Sequence, residues 1–131
     1  MIELEPLPEI GNCDTKDCIA RQVLDVLSTR WGLLIMRRLY DGTKRYSELR
    51  NAMEGISQKM LAQTLRELER VGLISRKTFA VVPPRVEYTL TPLGVKCAKL
   101  VAPLVAFIEG NAKAFIAAQR SYDSSKAIAG D

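Results

Sequence analysis

Histidine is absent from the 131-residue sequence. That removes Ser-His-Asp triads, imidazole acid–base catalysis and every metal site built on an imidazole ligand. Cysteine is scarce as well. The three thiols, Cys13, Cys18 and Cys97, match no zinc spacing, and Cys13 and Cys18 form a C-x4-C pair rather than the C-x-x-C of thiol oxidoreductases. The eight glycines fall at helix ends and turns and compose neither a Walker loop nor a dinucleotide fingerprint. No catalytic residue, metal or cofactor is therefore expected, and the chain does not read as an enzyme. No apolar run reaches the ~20 residues of a membrane span; the longest uncharged run, Leu100–Ile108, contains Pro103. The opening Met1-Ile2-Glu3-Leu4-Glu5-Pro6 is acidic and lacks a basic n-region, so it does not read as a secretory signal. The expectation is a cytoplasmic protein with reduced thiols and no membrane partner.

What is present is ordinary globular material, 47% hydrophobic and 26% charged, of a length that forms one domain without staples. The net charge of +4 is unevenly spread. Residues 1–17 carry five acids and one lysine, whereas residues 44–85 carry nine basic residues against four acidic ones. A concentrated positive stretch suits a polyanionic partner, although a solvated face is the plainer explanation of any single basic helix.

The spacing of apolar residues predicts the elements. Residues 1–16 have no periodicity and read as an arm. From Asp17 onward Ile19, Val23, Val26 and Leu27 fall on one helical face. A second helix carries Trp31, Leu34, Ile35 and Leu39 and stops at Asp41-Gly42. A short helix capped by Ser47 carries Leu49, Ala52 and Met53. After Glu54-Gly55-Ile56 a further helix is capped by Ser57, buries Leu61, Leu65 and Leu68, and presents Lys59, Gln63, Arg66 and Arg70 as a polar stripe. Two strands, Leu73–Phe79 and Val86–Leu90, flank the proline loop Val82-Pro83-Pro84 and form a hairpin. Thr91-Pro92 opens a last helix with Leu93, Cys97, Leu100, Leu104 and Ile108 on one face, kinked at Pro103 and broken near Gly110-Asn111. The expected organisation is an arm (1–16), a main domain (17–110) and a C-terminal helical extension (111–131) that frays from Ser121.

Helix, helix, short helix, capped helix, hairpin is the order of a winged helix-turn-helix: mainly α with a small β-hairpin, an α+β class. In such a unit the second helix of the motif enters the major groove by its N-terminal part. Ser57, Gln58, Lys59, Gln63 and Arg66 are then the groove-facing residues. Gln58, Gln63 and Arg66 suit base edges, and Lys59 and Arg45 suit phosphates. Lys77 and Arg85, flanking the hairpin tip, would reach the neighbouring backbone. The competing reading is a winged-helix module for protein–protein contact, which would have no need of a basic stripe and a basic hairpin together.

Several segments carry a family resemblance: Arg45-Tyr46-Ser47-Glu48-Leu49, Gly55-Ile56-Ser57-Gln58-Lys59-Met60-Leu61, Leu65-Arg66-Glu67-Leu68-Glu69, and Val82-Pro83-Pro84-Arg85-Val86-Glu87-Tyr88-Thr89-Leu90-Thr91 followed by Gly94. From about Cys18 to Ile108 the chain resembles the HxlR-type transcriptional regulators, relatives of the MarR group. The resemblance implies sequence-specific binding of double-stranded DNA as a homodimer, with the first and last helices as dimerisation helices and an inverted-repeat operator. It also implies an oxidant, electrophile or small-molecule effector, because several such proteins sense through an N-terminal cysteine whose counterpart is Cys18. The family's usual proline after that cysteine is replaced here by Ile19. Cys18 near a helix start gains from the dipole, while Asp14 and Asp17 oppose its ionisation. Cys13 is a candidate resolving thiol. Cys97 reads either as a core thiol or as a residue brought near the partner's first helix by dimerisation. A sensing Cys18 and a structural Cys18 both remain open at this level.

Overall fold

The computed structural model describes residues 3–7 and 18–129. The elements are α1 (Ile19–Leu27), α2 (Arg30–Tyr40), β1 (Lys44–Arg45), α3 (Tyr46–Ala52), α4 (Gln58–Arg70), β2 (Ile74–Phe79), β3 (Arg85–Leu90), α5 (Pro92–Gly110) and α6 (Ala112–Ala129). Three helices begin on a β-hydroxyl cap, as their sequences dictate. Thr29 accepts from Gly32 N at 3.1 Å, Ser57 from Met60 N at 3.1 Å and Thr91 from Gly94 N at 3.0 Å. Each such cap is worth about 1 kcal/mol relative to alanine. Thr91 also donates to the Gly72 carbonyl at 2.5 Å, which ties the start of α5 to the turn after α4. Gly72 lies at φ +82°, a left-handed conformation that glycine adopts at little cost and other residues rarely do.

The core is the expected leucine stripe of α4 (Leu61, Leu65, Leu68) closed by Ile35, Met36 and Leu39 of α2, Leu49 of α3 and Ile74 of β2, all essentially inaccessible. Against α2 lies α5, through its small residues. Gly94, Ala98, Val101, Ala102 and Val105 are buried, because only small side chains let two helices approach this closely. Leu93, Leu100, Leu104 and Ile108 do share the predicted face, but it is the outer one, and they remain 46–77% exposed.

Four expectations are corrected. The hairpin is part of a three-stranded antiparallel sheet of order β1-β3-β2, in which Lys44 pairs with Tyr88 and Arg45 with Glu87. A two-residue strand has no internal period and exists only because β3 offers it a partner edge. Ser47 is not the cap of α3. Arg45 occupies that position, and the Glu48 carboxylate reaches back to accept from Arg45 N at 2.9 Å. Ile19 starts α1 but points outward, 65% exposed, leaving the inner contact to Val26 with Val23 and Leu27 beside it. The tail does not fray from Ser121. The helix α6 runs to Ala129, consistent with its alanine-rich composition, and Lys126 lies 5.8 Å above the Tyr122 ring one turn earlier. The break at Gly110-Asn111 is as expected, with α5 and α6 inclined at 60°; α5 itself continues through Pro103.

Candidate nucleic-acid interface

The turn between α3 and α4 passes through Gly55 at φ +90° and delivers the chain to Ser57, so that α4 starts at the molecular surface. With Leu61, Thr64, Leu65 and Leu68 turned inward, helical geometry leaves Lys59, Gln63, Arg66 and Arg70 facing out, and all four are exposed. Lys59, Arg66 and Arg70 have no ion-pair partner among the described residues. Gln58 in the first turn is exposed too, and its carbonyl accepts from the Tyr46 hydroxyl at 3.5 Å, which links α3 to the start of α4. Ser57 uses its oxygen as the helix cap.

Gln63 departs from this common direction. Its amide donates to Glu67 Oε1 at 3.3 Å, and it borders a cleft of about 430 Å3 between α1 and α4 that is shared with Gln22, Asp25 and Arg70. Arg66 leans to the opposite side, toward the sheet, where it meets Arg76 and Tyr88. Sequence spacing groups Gln63 and Arg66; the structure inclines them to the two flanks of the exposed face of α4.

The sheet register divides the wing cations. Lys77 pairs with Glu87 and Phe79 with Arg85, so with Arg45 these side chains leave the sheet face turned away from Tyr88 and α4. There Phe79 is a platform. The Arg85 guanidinium stacks 4.4 Å from its centroid and the Lys77 ammonium lies at 5.0 Å. Arg85 Nε also lies 3.1 Å from Glu87 Oε2, as an ion pair without hydrogen-bond alignment. Beyond them the loop Val81-Val82-Pro83-Pro84 faces Arg45 and Ser47 across a groove of about 470 Å3. Arg76 and Tyr88 were not singled out by the sequence. The signal that finds them is the strand register, which seats them side by side under α4.

Of the thiols, Cys18 is the N-cap of α1, its carbonyl accepting from Gln22 N at 3.2 Å, rather than a first-turn residue. Cys97 is half-buried in α5, and burial pushes its thiol up from the ordinary value. Cys13 lies outside the described residues. Among those residues no group of histidine, cysteine, aspartate or glutamate side chains could hold a metal ion, and no single helix is long and apolar enough to cross a membrane.

Comparison with known proteins agrees with this architecture. The model of the HxlR-like helix-turn-helix family matches residues 26–115. The HTH-type transcriptional regulator YtfH of Escherichia coli is 48% identical over 101 residues, covering 77% of this chain and 80% of YtfH. A solved structure of the transcriptional regulator YtfH from Salmonella typhimurium superposes with a TM-score of 0.79 at 46% identity, covering 85% of this chain and 99% of that one. The redox regulator HypR in its oxidized form superposes with a TM-score of 0.65 at 36% identity, covering 72% of this chain and 97% of that one. A winged helix-turn-helix with an exposed basic helix and these relatives belongs to the HxlR-like family of HTH-type transcriptional regulators.

Proposed function

We propose that this chain binds double-stranded DNA as a homodimer on an inverted-repeat operator and that an oxidant modulates the binding through Cys18. The observation that carries the reading is the row Lys59, Arg66 and Arg70. These cations are exposed and without ion-pair partners on the helix whose other face is the hydrophobic core. A row so placed stays fixed while it faces a polyanion, and non-specific affinity follows from counterion release.

Gln58, in the first turn, is the foremost base-reading candidate, since a glutamine amide can bond adenine bidentately in the major groove. Gln63 reads bases only if it leaves Glu67. Arg45, Ser57, Lys59, Lys77 and Arg85 act on the backbone, Lys77 and Arg85 from the platform of Phe79. Dimerisation is supported by the outward face of α5 and the flanking α6, where Leu100, Leu104, Phe107, Phe115 and Ile116 are exposed. As a dimer the protein would span half-sites ~10 bp apart or a multiple of that. The redox reading is supported by the likeness to HypR and by the helix-start position of Cys18. With a diazene oxidant two thiols lose two electrons and two protons to form a disulfide, while the diazene becomes a hydrazine. The protein would then act as a cytoplasmic regulator and not as a catalyst.

The test is a binding titration on DNA upstream of its own gene and on scrambled duplexes at two salt concentrations. Gln58→Ala should cost ~1–3 kcal/mol on the operator and little on scrambled DNA. Lys59→Ala should weaken both alike and reduce the salt slope by about one unit. The docking proposed here fails if neither variant differs from wild type.

A further inference from the structure

Arg76 and Tyr88 are register partners on β2 and β3, so their side chains rise from one face of the sheet, the face that α4 covers. On α4, Ala62, Arg66 and Glu69 recur at helical spacing along the flank above them. These five residues line a recess of about 240 Å3 between the helix and the wing. Tyr88 is only 7% exposed, with its ring in the core cluster, yet its hydroxyl makes no hydrogen bond to another described residue. The ring is buried, but the hydroxyl keeps contact with solvent through the recess, so it is placed to donate to a group that enters there. The charges it faces are those of Arg66, Arg76 and Glu69, with Tyr46 nearby, and burial keeps the phenol protonated as a donor. Glu69 holds Arg76 only loosely: Oε1 lies 3.9 Å from Nε, and both side chains are about half exposed. Two guanidiniums, one carboxylate and a neutral hydroxyl leave one surplus positive charge, the complement of a single phosphodiester.

We propose that this recess seats one backbone phosphate of the bound DNA at the junction of recognition helix and wing, with Arg66, Arg76 and the Tyr88 hydroxyl as donors. The assignment rests on the DNA-binding reading above and moves Arg66 from base edge to backbone. It also explains the side on which Arg66 lies, away from Gln63. Glu69 is the internal anion that the phosphate displaces from Arg76.

Phosphate contacts are independent of sequence, so a short random-sequence duplex at low salt serves as the probe, with the full-length protein throughout. Tyr88→Phe keeps the ring and should leave thermal stability in place while weakening duplex binding about tenfold to a hundredfold, the worth of one hydrogen bond to a charged acceptor. Its salt slope should not change. Arg76→Gln should weaken binding and lower the salt slope by about one unit. Glu69→Gln, by removing the competing carboxylate, should tighten binding, a direction that loss of structure would not produce. Lys59→Ala is the reference. If it weakens binding while Tyr88→Phe, Arg76→Gln and Glu69→Gln all match wild type, the recess is not a phosphate seat, although the DNA-binding reading stands. If wild type shows no salt-dependent binding to any duplex, both readings fall. Inorganic phosphate, added at constant ionic strength, separates the sources. Protection of Tyr88 by phosphate, with duplex binding unaffected by the three recess variants, would give the seat to a free anion and overturn the DNA assignment.

Discussion

Gly94 sits where α5 meets the turn after α4, and alanine there should be disproportionately costly. A β-carbon built on Gly94 would lie 1.8 Å from the Leu73 carbonyl oxygen and 2.9 Å from its carbon. An ordinary carbon–oxygen contact needs ~3.3 Å, so the two backbones must part by roughly 1.5 Å. The oxygen cannot simply swing away. It accepts from Thr91 N at 3.1 Å, and the Thr91 hydroxyl holds the adjacent Gly72 carbonyl and caps Gly94 N. Lifting α5 strains that cap and draws Ala98 and Val101 off the core against which they are buried. Overpacking of this kind costs about 2–4 kcal/mol. For a chain of this length, at ~3–5 °C per kcal/mol, Tm should fall by about 6–20 °C. The assay is thermal unfolding followed by far-UV circular dichroism at fixed protein concentration, with Gly110→Ala as the control. A β-carbon on Gly110 meets nothing within 4 Å, so that variant should be neutral or slightly stabilising. A Gly94→Ala protein whose Tm matches wild type would refute the packing argument.

Three further outcomes are expected. Leu100→Asp, on a side chain 77% exposed in the single chain, should leave the circular dichroism spectrum intact and convert the dimer to a monomer in light scattering; a variant that stays dimeric, or a monomeric wild type, would contradict the proposed interface. Among the thiols, oxidant should alter DNA binding of wild type reversibly and leave Cys18→Ser unaffected. Burial raises the Cys97 thiol above its ordinary 9.0, so the unfolded chain ionises first. The stability linked to this group is full below the ordinary value and is lost as pH rises through the raised one. Iodoacetamide at about pH 8 should therefore label Cys97 more slowly in the native protein than in urea, as read by mass spectrometry; faster native labelling would contradict the burial argument.

Much of the centre was legible because its signals are local. Leucines at 61, 65 and 68, a serine cap at 57 and the turn glycines 55 and 72 are each recognised within a few residues, and each lies where its chemistry requires. The candidate interface was legible only as a set of cations. Lys77 and Arg85 were readable as cations flanking the hairpin tip, but only the strand register shows that they share a sheet face with Arg45, turned away from Tyr88. Gln63 and Arg66 were grouped by spacing, yet Glu67 holds the first and the sheet-side recess receives the second.

The last helix shows the same division. Its sequence established an amphipathic segment opened by Thr91-Pro92, and leucines are the natural choice for a buried face. Inside the chain, however, α5 packs against α2 closely enough that Gly94, Ala98 and Ala102 occupy the contact, and the leucines are turned outward. Composition, capping and period act through neighbours in sequence and are readable there: they determined a winged helix-turn-helix with a basic recognition helix. Which cations share a face, which apolar stripe is the inner one, and that the two-residue strand at Lys44–Arg45 exists at all depend on contacts between residues distant in sequence. Those were decided by the approach of one element to another, because backbone pairing and close packing are properties of the assembled pair.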